Sequence, residues 1–274
     1  MIGAIIGDIV GSRFEFNNYR KKDFDLFGAG CFATDDSIMS LAVAKAVLEH
    51  KLNGADLGKA AVHYMQEYGR PYPDCGFGGN FWHWIYSDNP KPYNSFGNGA
   101  AMRVSACAYA ADTLEEALAM SDAVTVVSHN HPEGIKGARA VTAAIYLAKT
   151  GATIPQINRH IVTNYYPLEF YIDEIRPWYR FNETCQDTVP EAIEAFLESE
   201  SFEDALRTAI SVGGDSDTLA AITCSIAEAY YGVPQALYDK ALTYLDERLT
   251  PLLHAFEQQY GTNIEKSGGN ANDI

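Results

Sequence analysis

The sequence predicts an all-α fold, and three observations carry the prediction. Apolar residues recur mainly at helical spacing, in Ala-rich segments spread along most of the chain. Alternating apolar and polar segments bounded by turns, which are typical of β-strands, are scarce. No interior stretch has the composition of a linker. We therefore expect one compact multi-helix domain over residues 1–265, followed by a disordered tail at 266–274.

The predicted helices follow one another along the chain. The first comes after Asp36, where Ile38, Met39, Leu41 and Ala42 begin an apolar stripe of about three turns. Several later segments begin at residues suited to a helix start, such as the capping pair Asp112-Thr113. The full set of predicted helices is 38–49, 99–111, 115–127, 134–149, 190–198, 203–212, 217–231 and 235–259.

Two stretches are predicted to be irregular. Residues 69–99 are rich in Gly, Pro, Asn and aromatic residues, and residues 164–189 are rich in Tyr, Trp and Phe. Long loops inside a compact domain are often functional. Aromatic loops can stack on a ring system, although packing over the helical core is the commoner role for any single aromatic residue.

Composition excludes several classes of protein. The formal net charge of −16 argues against nucleic acid or anionic membranes as general partners, because both require positive charge. No apolar run reaches the roughly 18 residues that span a bilayer, and the first residues lack a basic signal region. The five cysteines are scattered without a C-x-x-C pair, which predicts reduced thiols. We expect a cytoplasmic monomer.

Two acidic clusters stand directly before Ala-rich helices. One is Thr34-Asp35-Asp36-Ser37 and the other is Gly213-Gly214-Asp215-Ser216-Asp217-Thr218. Asp, Ser and Thr favour helix N-termini, so capping alone explains a single cluster. Each cluster, however, has two carboxylates and a hydroxyl, and a divalent cation is the usual reason to keep carboxylates close. Oxygen-only ligands suit Mg²⁺ or Mn²⁺, so the clusters predict a metal-dependent hydrolase if they meet in space.

Three further segments have polar residues that suit ligand binding. The glycines of Ser95–Arg103 can turn backbone N–H groups toward an anion at a helix start, although a plain turn explains the spacing equally well. His129 and His131 lack a third zinc ligand at a convincing spacing, which favours polar loop residues that face a ligand. Glu15, between two phenylalanines, is either a flap carboxylate or an exposed side chain; composition does not decide between these readings.

Together these segments resemble the ADP-ribosylglycohydrolase family, the relatives of dinitrogenase reductase-activating glycohydrolase. The resemblance runs from residue 3 to about residue 232. Each motif is weak alone, but five in the same order are specific. They are Gly7-Asp8-x-x-Gly11-Ser12 with Glu15, Thr34-Asp35-Asp36, Ser95-Phe96-Gly97-Asn98-Gly99-Ala100-Ala101-Met102-Arg103, Ser128-His129-x-His131, and Gly213-Gly214-Asp215-Ser216-Asp217-Thr218.

The resemblance implies a compact orthogonal bundle of helices that binds two Mg²⁺ or Mn²⁺ ions between the acidic clusters. The matching metal ligands are Thr34, Asp35, Asp36, Asp215, Asp217 and Thr218. The candidates for catalytic roles are Asp35, Asp36, Asp217 and Glu15. The predicted substrate contacts, which include a diphosphate-binding loop at 95–99, are Asp8, Glu15, Ser95, Phe96, Gly97, Asn98, Gly99, Met102, His129, Gly214 and Ser216.

The implied activity is hydrolysis of the glycosidic bond at C1″ of ADP-ribose. The implied substrate is an ADP-ribosylated protein or a small ADP-ribose compound, with ADP-ribosyl-arginine in protein as the first expectation. ADP-ribosyl-serine, O-acetyl-ADP-ribose and ADP-ribosylated nucleobases remain alternatives, because all of them share the ADP-ribose half. The division of acid and base roles among the carboxylates stays open.

Two other classes of protein share some of these features. Helical prenyl-diphosphate enzymes also bind Mg²⁺ through Asp-rich helices, but their D-D-x-x-D pattern needs an acid where this chain has Met39. A catalytically silent, crystallin-like member of the family is the second alternative. All six metal-ligand positions are filled by oxygen ligands here, which argues against it.

Overall fold

The computed structural model describes residues 1–265, so the predicted tail at 266–274 lies outside the described residues. This part of the chain is helical, with isolated β-bridges but no strand, which confirms the all-α prediction. The α-helices are α1 (Ile2–Ser12), α2 (Asp35–Asn53), α3 (Leu57–Gly69), α4 (Gly79–Tyr86), α5 (Gly99–Met102), α6 (Ser105–Ala110), α7 (Leu114–Thr125), α8 (Pro132–Lys149), α9 (Ile154–Asn164), α10 (Ile172–Ile175), α11 (Val189–Leu197), α12 (Phe202–Val212), α13 (Ser216–Tyr231), α14 (Gln235–Leu242) and α15 (Thr250–Tyr260).

Helices α1 and α13 form the centre of the molecule. Every residue of α1 is buried, and the sequence analysis missed this helix because it is apolar on all sides and shows no amphipathic stripe. Gly3, Gly7 and Gly11 repeat at intervals of four and line the side that faces α13. A Cβ atom at Gly7 would collide with the backbone of Ala220. Glycine therefore allows the two backbones to touch, at the cost of low helix propensity.

Helix α2 packs beside this pair and is longer than the predicted 38–49 segment at both ends. The Thr34 hydroxyl accepts a hydrogen bond from the Asp36 N–H over 3.3 Å, so Thr34 is the N-cap. The helix ends at Gly54, whose φ of 68° is left-handed. Helix α3, which was not predicted, follows directly and is capped by Asp56. Only a narrow face of α3 is buried, so its apolar stripe was too weak to be detected in the sequence.

Two predicted helices are each divided in two. The predicted 99–111 segment is broken at Arg103 and Val104, which separate α5 from α6. The predicted 235–259 segment is broken between α14 and α15. There the Asp246 carboxylate accepts hydrogen bonds from the N–H groups of Arg248 and Leu249 at 2.9 and 3.0 Å. These side-chain bonds compete with helical backbone bonds and explain the break between α14 and α15. A continuous helix was the wrong prediction at both places.

The predicted irregular stretches are only partly irregular. The 69–99 stretch contains α4, and the 164–189 stretch contains the short helix α10 and a 3-10 turn at Cys185–Asp187. The five cysteines are unpaired, as predicted. Among residues 1–265, no helix is long and apolar enough to cross a membrane.

Candidate active site

The two acidic clusters, which are far apart in sequence, lie side by side. The Thr218 hydroxyl at the start of α13 donates to Oδ2 of Asp36 at the start of α2 over 3.2 Å. Asp8, Asp36 and Asp217 each offer a carboxylate oxygen within 4.8 Å of the others. Glu15, Asp215 and Asp217 form a second group by the same measure. The packing of α1, α2 and α13 brings their polar ends to one place.

Asp8 lies beneath the cavity rather than on its wall. The residue is fully buried, and its carboxylate accepts hydrogen bonds from the N–H and hydroxyl of Thr34 at 2.9 and 2.6 Å. It also accepts from the N–H of Ser37 at 3.0 Å and from the Ser37 hydroxyl. These four bonds tie the Asp8 carboxylate to the first turn of α2. Asp8 does not line the cavity, and its predicted contact with substrate stays a prediction.

The remaining aspartates are costly to ionise where they lie. Burial, followed by the charge of Asp217, raises the pKa of Asp35 and of Asp36 well above the usual range. Burial and the neighbouring Asp215 raise the pKa of Asp217 in the same direction. The pKa of Asp215 is raised by burial to about 6, although its bond from Asn98 opposes the rise.

The oxygen atoms of this cluster fit a divalent cation. Oδ1 of Asp36 and Oδ1 of Asp217 are buried without a hydrogen-bond partner among the described residues. Buried acceptors are normally satisfied, so an unpartnered pair on facing helices calls for a donor or a metal ion. The available ligand atoms are all oxygen, which matches the preference of Mg²⁺ and Mn²⁺.

A cavity of about 200 Å³ opens above these carboxylates. Its acidic floor is formed by Asp35, Asp36, Asp215, Asp217 and Thr218. The glycine-rich loop at 95–99 forms one wall, and Met102 belongs to the same side. The cavity is therefore bounded by residues from most of the segments that the sequence analysis singled out.

The 95–99 loop is tied to the second acidic cluster. The Asn98 side-chain amide donates to Oδ2 of Asp215 over 2.7 Å and to the Thr188 hydroxyl over 3.2 Å. The Gly97 N–H donates to the Ser95 hydroxyl over 3.1 Å, which closes the turn. Phe96 does not line the cavity; its ring is partly exposed and meets the His131 ring edge-on at 5.1 Å.

The two histidines of the 128–132 segment have different roles. His129 lines the cavity, is buried, and lies between the rings of Phe81 and Tyr93 at 6.0 and 5.7 Å. Burial, together with the charge of Arg103, holds the pKa of His129 well below the usual range, so the ring is neutral. His131 caps α8, because its Nδ1 accepts from the N–H of Glu133 over 3.1 Å.

Three predicted site residues support the floor without lining it. Gly214 exchanges hydrogen bonds with the Asn18 side chain, each of 2.8 Å, and its φ of 72° requires glycine. The Ser216 hydroxyl bonds to the Gly214 carbonyl over 3.3 Å. Thr34 bonds to Asp8 and Asp36. These residues set the positions of the neighbouring aspartates.

The mouth of the cavity is acidic. Glu15 lines it and is half-buried, and burial together with the charges of Asp217, Asp8 and Glu183 raises its pKa to about 8. Glu183 also lines the cavity, and its backbone carbonyl accepts the N–H of Asn98 over 2.8 Å. The sequence analysis predicted that the 164–189 stretch is irregular but did not single out Glu183. No local sequence pattern marks Glu183, because it reaches the cavity through a bridge between two loops that are far apart in the sequence.

Arg103, Phe81 and Tyr93 also line the cavity and were not predicted as site residues. Arg103 was part of the quoted 95–103 motif, which was the only available signal. Phe81 belongs to α4, in a stretch that was predicted to be irregular. Their convergence depends on the packing of α4, α5 and the 128–132 segment.

The fold and the site together define an all-α protein with a buried carboxylate cluster beside a glycine-rich loop. The profile of the ADP-ribosylglycohydrolase family matches residues 1–264, so the chain belongs to that family. A solved structure described as an ADP-ribosylglycohydrolase-related protein complex has the same fold, with a TM-score of 0.70. It is 20% identical and covers 94% of this chain and 95% of its own.

Characterised relatives are similar over most of the chain. ADP-ribosylhydrolase ARH3 of Xenopus tropicalis is 24% identical, covering 86% of this chain and 87% of its own length. ADP-ribosylarginine hydrolase Tri1 of Pseudomonas putida is 26% identical, covering 85% of this chain and 70% of its own length. ADP-ribosylhydrolase ARH3 of Homo sapiens is 25% identical, covering 86% of this chain and 85% of its own length.

Proposed function

We propose that this protein is a divalent-metal-dependent hydrolase that cleaves the glycosidic bond at C1″ of ADP-ribose and releases ADP-ribose from a modified protein. The observation that carries the proposal is the convergence of the two clusters: Asp36 and Asp217 present unpartnered buried oxygens below a cavity walled by the 95–99 loop. The carboxylates are suited to hold cations near the ribose hydroxyls, and the loop is suited to lie against the diphosphate.

The proposed metal ligands come from the starts of two helices. Thr34, Asp35 and Asp36 belong to one, and Asp215, Asp217 and Thr218 to the other. These residues would hold two Mg²⁺ or Mn²⁺ ions. When bound, the ions would supply Lewis-acid chemistry that orients the ribose hydroxyls and lowers the pKa of water. Asp8 and Asn98 hold the ligand residues in place from outside the cluster.

The wall formed by the 95–99 loop and His129 suits the diphosphate of ADP-ribose. The backbone of Gly97 and Gly99 approaches His129 closely, and the loop leads into a helix start. The N–H groups of Gly97 and Asn98 already donate to Ser95 and Glu183. The remaining donors of this wall, above all the neutral His129, would bind phosphate oxygens without positive surface charge. Glu15, above the floor, is placed to exchange a proton with the leaving group.

The mouth favours a cationic leaving group. Glu15 and Glu183 line the cavity and lie close enough for their charges to interact. Outside the cavity lining, the exposed rings of their chain neighbours Phe16 and Phe181 stack with centroids 5.6 Å apart. Carboxylates and aromatic faces both attract a guanidinium group. This supports ADP-ribosyl-arginine over O-linked or nucleobase-linked ADP-ribose. The relative Tri1 is named as an ADP-ribosylarginine hydrolase, which supports the same substrate.

The test is a substrate panel. ADP-ribosyl-arginine, ADP-ribosyl-serine, O-acetyl-ADP-ribose and an ADP-ribosylated nucleobase are each incubated with Mg²⁺ or Mn²⁺ and, separately, with EDTA. We expect release of ADP-ribose from the arginine linkage, abolished by EDTA. Release only from another linkage would reassign the substrate. No release from any of them would indicate a silent ligand-binding protein, and release unaffected by EDTA would refute metal dependence.

A further inference from the structure

A guanidinium group is buried at the edge of the cavity, without a carboxylate partner. Arg103 is 0% exposed, although it lies in a protein of strongly negative charge. Its Nη2 donates to the Ser128 hydroxyl over 2.8 Å and lies 3.4 Å from Nδ1 of His129. Its Nε and Nη1 have no hydrogen-bond partner among the described residues, and its Cζ lies 5.2 Å from the centre of the Phe81 ring. A buried charge is costly unless it is paired and hydrogen-bonded, so the position of Arg103 calls for a functional explanation.

The hydrogen-bond directions follow from the chemistry of arginine. A guanidinium group has only donors, so the Ser128 oxygen must accept from Nη2. The Ser128 hydroxyl hydrogen is then free to point at Nδ1 of His129, 2.8 Å away. Because Arg103 also directs Nη2 toward that nitrogen from 3.4 Å, Nδ1 faces two donors, and this arrangement favours Nδ1 as the acceptor. The proton of the neutral ring is therefore on Nε2.

Nε2 of His129 faces the glycine-rich loop. A Cβ atom added at Gly97 would lie 3.6 Å from Nε2, and one at Gly99 would lie 3.5 Å from it. The Phe81 and Tyr93 rings on either side restrict rotation of the imidazole. A second positive charge beside Arg103 is unfavourable, so the ring presents a neutral N–H donor to this wall.

We propose that Arg103 is a positioning residue that, through the Ser128 hydroxyl, fixes His129 as the Nε2–H tautomer and thereby provides a permanent hydrogen-bond donor to the diphosphate of the ligand. The identity of the acceptor rests on the proposed function. The tautomer assignment does not, because it follows from contacts within the protein. Without Arg103, the Ser128 hydroxyl can instead accept from Nδ1, and the donor facing the loop is lost.

The tautomer is measurable by ¹⁵N NMR of histidine-labelled protein without ligand. For the wild type we expect His129 to show a protonated Nε2 and an unprotonated Nδ1, and the His129→Gln variant assigns the signals. In Arg103→Met we expect protonated Nδ1 to appear. Arg103→Lys, which keeps one donor, should restore part of the wild-type pattern. An imidazolium or Nδ1–H signal in the wild type, or an unchanged tautomer in Arg103→Met, would overturn the proposal.

Calorimetric titration with ADP-ribose then tests the consequence. Loss of a hydrogen bond to a charged group predicts about tenfold or more weaker binding for Arg103→Met. The matched control is Arg159→Met, an exposed arginine on α9, which should bind as the wild type does. Circular dichroism reports whether each variant folds. If the wild type shows the expected tautomer but does not bind ADP-ribose, the proposed function fails while the tautomer assignment stands. Equal affinity of Arg103→Met and wild type would refute the positioning role.

Discussion

Asp35, Asp36 and Asp217 occupy a part of the interior where negative charge is costly. Their pKa values are raised by burial and by one another, while Asp8 satisfies its own charge with four hydrogen bonds. Without a cation, the cluster can retain protons or carry unpaired charge. This arrangement lowers the stability of the folded protein, which is expected at a site where carboxylates bind a ligand.

Replacement of one carboxylate of the cluster by its amide tests its role in turnover and its effect on stability separately. Asp217→Asn keeps the shape of the side chain but removes a charge from the cluster. We expect at least about a 100-fold loss of turnover, because a proposed metal ligand is lost. In EDTA we expect a higher Tm than the wild type, because repulsion is relieved.

Turnover assays and thermal unfolding in EDTA measure the two effects. Asp88→Asn, which changes an exposed aspartate of the loop after α4, is the matched control and should leave both unchanged. A lower Tm for Asp217→Asn would show that the carboxylate stabilises the metal-free fold.

Glu15 predicts a pH dependence of stability. Its pKa in the folded protein is about 8, against an ordinary value of 4.5. The folded state therefore binds more protons than the unfolded state between these values, so the contribution of Glu15 to stability falls as pH rises. It is fully present below about pH 4.5 and is lost by about pH 8. Glu15→Gln does not titrate.

The measurement is thermal unfolding of wild type and Glu15→Gln in EDTA from pH 5 to 8. We expect the Tm advantage of the variant to grow across this range and then to level off. Because other groups titrate in both proteins, only the difference between them is informative. A constant or shrinking difference would contradict the raised pKa.

Elements are positioned by the close approach of α1 to α13. The glycine spacing of α1 lets its backbone contact α13 next to Asp217. Helix α1 contributes none of the proposed metal ligands, yet its packing fixes the position of Asp217. The sequence analysis found α2 and α13 from their caps and apolar stripes. It missed α1, α3 and α9 because periodicity is uninformative for a fully buried helix such as α1 and weak for the narrow buried faces of α3 and α9.

Gly11→Ala tests this control. A Cβ at Gly11 would lie 2.5 Å from Cα of Asp217 and 2.6 Å from the carbonyl oxygen of Ser216, so α13 must move. We expect a loss of about 1–3 kcal/mol in the free energy of unfolding and a fall in turnover. Denaturant unfolding and activity assays measure these effects.

The matched control is Gly58→Ala in α3, where the nearest atom lies 3.5 Å from the added Cβ. The alanine should be neutral or stabilise the protein by about 0.5–1 kcal/mol, because it favours the helix. Wild-type stability and turnover in Gly11→Ala would show that the two helices have room to separate without disturbing the site.

At the scale of the whole molecule, the site joins helix ends from opposite parts of the chain. A ligand held by both α2 and α13 binds the folded state only, because the unfolded chain does not bring these ends together. The site and the global stability are therefore linked, and occupancy of the cluster should be visible in unfolding.

Addition of Mg²⁺ or Mn²⁺ should raise the Tm. A cation at about 100 times its Kd adds roughly 2.7 kcal/mol to the free energy of unfolding. Scanning calorimetry with cation, with EDTA and with Ca²⁺ as a larger ion measures the effect. Asp217→Asn should respond much less than the wild type. An equal shift in both proteins would place the responsible cation elsewhere.

The sequence by itself determined the helical class, most helix starts, and the segments that line the cavity. These features are local: apolar spacing, caps at Thr34 and Thr113, and clustered Asp, Thr and Gly are readable from neighbouring residues. Only the tertiary structure decided that Asp36 lies against Thr218, that the Asp8 carboxylate is bonded to the first turn of α2, and that Arg103 and Glu183 line the cavity. The reason is physical: those relations depend on long-range packing, above all the backbone contact of α1 with α13, which no local pattern encodes.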